Sequence, residues 1–240
     1  MTNANPFAQR STLEYELPPF ALIKEEHYLP AFYEACAAHL AEVQAILDTP
    51  GAATFENTIV ALEKAGQYLG RVLRVFYNKS SSDTNDALDA IEEEIAPKFA
   101  AHQDAISLNP VLFKRIKDLY DARESLGLNS EDAWLLERYY KDLIHEGAHL
   151  TEAQRDRLKE LNEELSSLET QFSKNVLADT NDLAILVDSV EELDGLSENQ
   201  IAAAAAAAKD RGHDGKWLIG MVNFTGNPVL DALTNRELRK

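Results

Sequence analysis

The strongest constraint on the fold is a long, highly charged stretch in which apolar residues recur at a steady spacing of three and four. These apolar residues are Leu158, Leu161, Leu165, Leu168 and Phe172. This spacing is the period of an amphipathic helix, whose apolar residues share one face. Thr151 and Gln154 match a capping box, which predicts that the helix begins there. A chain built around such a segment is predicted to pack helix against helix.

Five segments upstream show the same helical spacing. The chain contains only 10 Gly and 8 Pro, which also favours helices. Pro97, inside the third segment, is expected to kink that helix or split it in two. We therefore predict a mainly α fold, an antiparallel bundle or array of helix pairs. The five segments carry Phe32, Cys36, Leu40, Val43 and Leu47; Phe55, Ile59, Leu62, Leu69, Leu73 and Phe76; Leu88, Ile91, Ile95, Phe99, His102 and Ile106; a helix with Asn109 as cap and Pro110 as its first residue; and Ser130 to about Glu146.

The pattern changes after Asn181, where short stretches rich in β-branched and aromatic residues appear. Leu183–Val187 and Lys216–Phe224 are predicted strands. Between them, a capping box at Ser197 and Gln200 opens an alanine-rich helix that Gly212 ends. We therefore predict a small strand-helix-strand insert near the C-terminus. The expected domains are a helical lobe at 1–180 and this smaller segment at 181–240.

The charge balance argues against two classes of partner. The chain has 23 Lys and Arg against 41 Asp and Glu, a net charge of −18. Such a surface repels nucleic acid phosphates and anionic lipids, so neither nucleic acid nor membrane is an expected partner. The start of the chain lacks a signal-peptide pattern, which predicts a cytoplasmic protein. Cys36 is the only cysteine and lies on an apolar helical stripe, so we expect a small core residue rather than a nucleophile.

The sequence contains one match to a zinc peptidase motif. His145, Glu146 and His149 spell H-E-x-x-H, in which two histidines one helical turn apart bind zinc and the glutamate activates a water. Gly147, however, follows the last apolar position of its helix, and Thr151 caps the next helix four residues later. The pattern then falls on a turn rather than on one helical face. We predict no metal, cofactor or catalytic site in this chain, with a self-contained zinc hydrolase using these three residues as the less favoured alternative.

Other catalytic patterns are absent from the sequence. It has no glycine-rich phosphate loop, no nucleophile elbow and no cysteine cluster. Glu92–Glu94 are interpreted as a solvated helix face. We expect His102, on an apolar stripe, to be a core or boundary histidine, and His213 to lie in an exposed loop.

Several phrases, in order along the whole chain, resemble the N-terminal half of the thimet oligopeptidase-like zinc metallopeptidases. They include TFENTIVALEKAG, RVFYNKSSSDTND, LNPVLFKRI, LTEAQRDRLKELNEELSSLETQFSKNV and ELDGLSENQI. The strongest resemblance is to the bacterial peptidyl-dipeptidase branch, with oligopeptidase A as a near relative. All of these phrases belong to the scaffold, and none is catalytic.

The resemblance implies a much longer, mostly helical enzyme with two lobes around a narrow channel. Its zinc site, with a different H-E-x-x-H, would lie beyond the last residue of this chain. The expected partners are a C-terminal catalytic lobe of the same protein and an oligopeptide substrate that loses C-terminal dipeptides. By this interpretation the chain is a non-catalytic wall of the channel and is inactive alone. A helical interaction module without catalysis is the alternative.

Overall fold

The computed structural model describes residues 5–240 and confirms the mainly α fold. The chain forms two compact units, one ending at Thr170 and the other comprising Gln171–Lys240. The predicted domain boundary between residues 180 and 181 stays a prediction. The ordered elements are α1 (Tyr28–Leu47), a π-helical segment (Phe55–Val60), α2 (Ala61–Lys64), α3 (Gln67–Ser82), α4 (Asp86–Ser107), α5 (Pro110–Asp121), α6 (Ser130–Glu146), α7 (Glu152–Asp182), β1 (Ile185–Val187), α8 (Glu198–Asp210), β2 (Trp217–Ile219), α9 (Asn223–Ala232) and α10 (Arg236–Arg239).

The first unit has two apolar clusters. One is built by α1, α3 and α4 around the fully buried Phe32 and Phe76. The other joins the π-helical segment to α5 and α6 around Ile59, Ile116 and Leu136. Amphipathic helices are stable in water only when such faces are buried against one another, so these clusters account for the arrangement of the helices.

Cys36 packs beside the first cluster, as predicted. Burial raises the pKa of its thiol to about 11, because the thiolate is poorly solvated there. At neutral pH the group is therefore a thiol with little nucleophilic character.

The second unit contains the predicted strand-helix-strand arrangement. Strands β1 and β2 pair antiparallel, with Leu186 opposite Leu218. The Ser197 and Gln200 capping box is present at the start of α8. Ala204 and Ala208 are buried on this helix, as expected for a thin helix packed closely against its neighbour.

Three segment predictions were wrong. The second amphipathic run is not one helix, because the backbone of Ala65 is extended and Gly66 adopts a left-handed conformation with φ of 72°. The first strand begins at Ile185 rather than Leu183, and the second is shorter than Lys216–Phe224. The predicted strand residues after Ile219 lie outside the sheet, and the backbone N–H of Thr225 bonds to the carbonyl of Val222 as α9 begins.

Pro97 does not split the third helix, because α4 runs unbroken on both sides of it. The buried residues Ile91 and Ile95 before it and His102 after it hold the helix to the core across the missing N–H. No helix within residues 5–240 is long and apolar enough to cross a membrane.

The apolar stripe of α7 differs most from expectation. The helix is 31 residues long, and none of its residues is buried. Leu161, Leu165, Leu168 and Phe172 are 43%, 53%, 59% and 70% exposed. The predicted helix is confirmed, but these four side chains lack the predicted packing within the described residues.

Replacing Asn109 by alanine is expected to lower the free energy of unfolding by about 1 kcal/mol. Its side-chain Oδ1 accepts hydrogen bonds from the N–H groups of Val111 and Leu112, at 2.9 and 3.1 Å, and so caps α5 as predicted. Urea unfolding followed by circular dichroism measures the loss. Asn109→Asp keeps the acceptor and should unfold close to the parent; equal losses in both variants would contradict the capping role.

Candidate functional site

The H-E-x-x-H residues lie on either side of a helix end. Helix α6 stops at Glu146, Gly147 has φ of 95°, and the N–H of Ala148 bonds to the carbonyl of Leu143 at 2.9 Å. This is the glycine-capped turn predicted from the sequence. His145 belongs to the last turn of α6, whereas His149 follows the turn, and both are exposed.

This geometry does not fit the zinc-binding form of the motif. Two histidines at positions i and i+4 bind one zinc only when a continuous helix holds them on one face. Among residues 5–240, no three His, Cys, Asp or Glu side chains are grouped so that they could hold a metal ion. The absence of zinc from this chain stays a prediction for metal analysis, and no chemistry is assigned to His145, Glu146 or His149.

The first unit contains a cavity of about 970 Å³. Much of its wall is apolar, including Leu69, Leu73, Phe99 and Leu143. All of its lining residues fall between His39 and Asn162, so it belongs to one unit. Its volume is within the range of small-molecule binding sites.

Two histidines meet at the cavity. His39, on α1, and His102, on α4, are joined by a hydrogen bond of 3.0 Å between His39 Nδ1 and His102 Nε2. His102 is only 6% exposed. Burial, and secondarily the neighbouring His39, lower the pKa of His102 to about 4, because the imidazolium is poorly solvated there. Burial also lowers the pKa of His39. The pair is therefore neutral at pH 7.

Asp104 is a second buried polar group of the lining. It is 7% exposed, and the side-chain amide of Asn162 donates to its Oδ1 at 2.8 Å. Its other oxygen, Oδ2, has no hydrogen-bond partner among the described residues, and neither has His102 Nδ1. Burial raises the pKa of the Asp104 carboxyl. A buried polar atom without a partner is costly, so both atoms lower the stability of this part of the fold.

Helix α6 contributes further polar groups to the cavity. The hydroxyl of Tyr139 donates to Glu63 Oε1 at 2.6 Å. Burial raises the pKa of Tyr139, and the Glu63 carboxylate adds to this. Arg138 is the only Lys or Arg among the described lining residues, and it pairs with Asp142, with 2.9 Å between Nη2 and Oδ1.

Sequence reasoning found one of these groups. His102 was expected in the core or at its boundary, and this is confirmed. His39 was missed, although it lies seven residues after Phe32 and four before Val43, both buried. The sequence pattern does not indicate that Asp104 is buried, because its burial depends on residues distant in sequence. His213 lies exposed in its loop, as predicted.

Known proteins resemble this chain over its full length, which confirms the sequence resemblance. It is 40% identical to "Dipeptidyl carboxypeptidase" of Escherichia coli over 240 residues, all of this chain and 35% of that protein. It is 27% identical to "Oligopeptidase A" of Salmonella typhimurium over 226 residues, 94% of this chain and 33% of that protein. The chain thus spans about a third of the length of these curated relatives. No protein-family model matches it.

Proposed function

We propose that this chain is the non-catalytic, N-terminal helical lobe of a cytoplasmic zinc metallopeptidase that removes C-terminal dipeptides from oligopeptides. The observation that carries the proposal is its similarity to dipeptidyl carboxypeptidase along all 240 residues, which make up 35% of that protein. The lobe would form one wall of the substrate channel, admitting extended peptides and excluding folded proteins. The zinc and its general base would belong to the remainder of the protein.

The exposed stripe of α7 supports a structural partner. A contiguous row of large apolar side chains is unfavourable in water and commonly marks an interface. The helical period places Leu161, Leu165 and Leu168 on one face, and each is at least 43% exposed. We propose that the catalytic lobe of the same protein covers this row.

The charge of the chain fits the proposed role. Its net charge of −18 favours an approach by basic or neutral peptides over nucleic acids. The chain's own contribution would be binding, orientation and steric exclusion, because its H-E-x-x-H residues do not share a helical face.

Peptide cleavage in a two-piece enzyme tests the proposal. The 240-residue chain alone should not cleave an oligopeptide. Mixed with the separately produced remaining part of the E. coli relative, it should restore chelator-sensitive release of dipeptides. Leu165→Ser with Leu168→Ser should weaken this association by about a hundredfold, because each buried leucine contributes about 1.5 kcal/mol or more. Association is measured by titrating one piece with the other.

The matched control is Glu163→Ser with Glu164→Ser, two exposed positions on the same helix. This variant should associate like the parent. Chelator-sensitive cleavage by the chain alone, lost in His145→Ala, would instead establish a self-contained zinc hydrolase. Failure to restore cleavage would favour an interaction module. An independent check is the coding sequence after Lys240, which should contain a second H-E-x-x-H followed by a glutamate.

A further inference from the structure

We propose that the outer edge of β1 is the docking site for a third strand, supplied by the part of the parent protein that follows Lys240. This inference rests on the function proposed above, because it needs a parent protein longer than this chain. The incoming strand is an extended segment with apolar side chains. It completes a sheet that has only two strands within residues 5–240.

The outer edge of β1 has unpaired backbone groups. The strand pairs with β2 on one side only, with Ile185 opposite Ile219 and Val187 opposite Trp217. In an antiparallel pair, alternate residues direct their N–H and C=O groups to the partner strand, and the residues between them direct theirs outward. Among the described residues, no hydrogen bond reaches the outward groups of β1. These groups are therefore available to a further strand.

A sheet of this size needs support on both sides. Each of its strands is three residues long. An isolated pair of strands is at best marginally stable in water, and a third strand or a packed helix is needed to stabilise it. Helices α8 and α9 pack against β2, whereas the main neighbouring element of β1 is β2 itself. The less supported side of the sheet is therefore the edge of β1.

The residues of β1 favour pairing with another strand. Ile185, Leu186 and Val187 have neither the charge nor the proline that commonly protects an exposed strand edge. Leu183, two residues before the strand, is 65% exposed. Apolar side chains of the incoming strand would pack against these residues and remove apolar surface from water. Such an edge binds an extended segment through its backbone and selects it by its side chains.

The position of Lys240 favours the rest of the parent protein as the source of the strand. Leu238, in α10, packs against the apolar cluster of the second unit, and so does Ile185 of β1. Because this chain covers 35% of the E. coli relative, a parent of similar length continues from a point close to β1. A segment tethered this closely has a high effective concentration at the edge, which favours it over a second copy of the chain or a free peptide.

Hydrogen exchange of β1 tests the proposal without a substitution. The 240-residue chain is mixed with the separately produced remaining part of the E. coli relative, and amide exchange is followed by mass spectrometry of fragments covering β1 and α8. The complex should slow exchange in β1 at least about tenfold, because pairing protects the outward N–H groups. Restored dipeptide release with unchanged exchange in β1, or with equal slowing in α8, overturns the third strand and leaves the proposed function standing. Failure of both release and protection overturns the two together.

The chain alone distinguishes the other possible occupants of the edge. Slower exchange in β1 as the concentration of the chain rises would identify a second copy of the chain at the edge. Slower exchange on adding the oligopeptide of the cleavage assay would identify the substrate. Either result overturns the proposed occupant, whereas unchanged exchange under both conditions supports it.

Proline variants provide a second test. Proline is tolerated on an edge strand where the N–H of the replaced residue faces outward, but it removes the donor that a further strand needs. Of Ile185→Pro, Leu186→Pro and Val187→Pro, a variant that unfolds in urea like the parent should associate with the remaining part about tenfold more weakly, equivalent to about 1.4 kcal/mol. Glu198→Pro, at the exposed first position of α8, is the control and should associate like the parent. Parent-like association of a folded β1 variant contradicts the proposal; if none of the three folds, hydrogen exchange decides alone.

Discussion

Replacing Gly195 by alanine is expected to lower the free energy of unfolding by about 3 kcal/mol. Gly195 has φ of 97°, a conformation that costs an L-residue about 1–2 kcal/mol. An added Cβ would also overlap the backbone carbonyl oxygen of Ala232 and lie 3.1 Å from the backbone nitrogen of Thr234. Overpacking of this kind typically costs a further 1–3 kcal/mol or so.

The backbone around Gly195 has little freedom to relieve this overlap. The N–H of Thr234 donates to the carbonyl of Asp194 at 2.9 Å, and its hydroxyl donates to the Asp194 carboxylate at 2.6 Å. Moving the two segments apart would break these bonds. The clash is therefore expected to appear as lost stability rather than as a small local shift.

Gly212→Ala is the matched control in the same unit. Gly212 has φ of 80°, but an added Cβ would meet no atom within 4 Å. The loss of unfolding free energy in Gly212→Ala should be limited to backbone strain, about 1 kcal/mol. Urea unfolding followed by the fluorescence of Trp217, in a Trp134→Phe background, compares the two variants in the second unit. Equal losses at Gly195 and Gly212 would show that the close approach to Ala232 does not hold.

Acidification is expected to destabilise the chain through His102. Its folded pKa is about 4, lowered from 6.5 chiefly by burial and then by His39. Between these two values the unfolded chain binds a proton that the folded chain does not, so stability rises with pH in this window. The contribution is complete above about pH 6.5 and is lost as the pH falls toward 4. A pKa difference of this size between the folded and unfolded chain corresponds to about 3 kcal/mol of unfolding free energy.

Two neighbours of His102 also change protonation in acid. The lowered pKa of His39 acts in the same direction. Asp104 acts in the opposite direction. Its folded pKa is raised, so its contribution is present at low pH and lost as the pH rises through that pKa. The net slope of the parent chain is therefore the sum of opposing contributions, and a variant is needed to isolate His102.

His102→Gln should flatten the dependence of stability on pH between 6.5 and 4. Urea unfolding midpoints at half-unit pH intervals measure this. His213→Gln, at an exposed position, should keep the slope of the parent. A parent and a His102→Gln variant with the same slope would show that His102 does not remain neutral in the folded chain.

Helix ends were predictable because their signals are local. The caps at Asn109 and Gly147 depend on neighbouring residues in the chain, and the structure has both where expected. The predicted second strand was too long because Val222 and Phe224 favour strands, and because Gly226 and Pro228 disfavour a helix. Val222 keeps an extended backbone as the residue before α9, whereas Phe224, Gly226 and Pro228 are helical in α9, a case in which tertiary context overrides local preference.

The cavity could not be predicted from the sequence, because it depends on distant residues. His39 and His102 are 63 positions apart, and Asp104 and Asn162 are 58 apart. A periodic pattern identifies which face of a helix is apolar, but not which face of another helix it meets. The exposure of α7 has the same origin, since helical spacing predicts an apolar stripe without identifying what covers it.

The exposed stripe of α7 also has a consequence for biosynthesis. If this lobe emerges from the ribosome first, Leu161, Leu165 and Leu168 remain uncovered while the remainder, about two-thirds of the relatives' length, is translated. At about 5–20 residues per second this interval lasts some tens of seconds, long enough for aggregation to compete with folding. Nascent chains stalled shortly after α7 should therefore recruit a chaperone that binds apolar segments, and the Leu165→Ser, Leu168→Ser variant should recruit less of it.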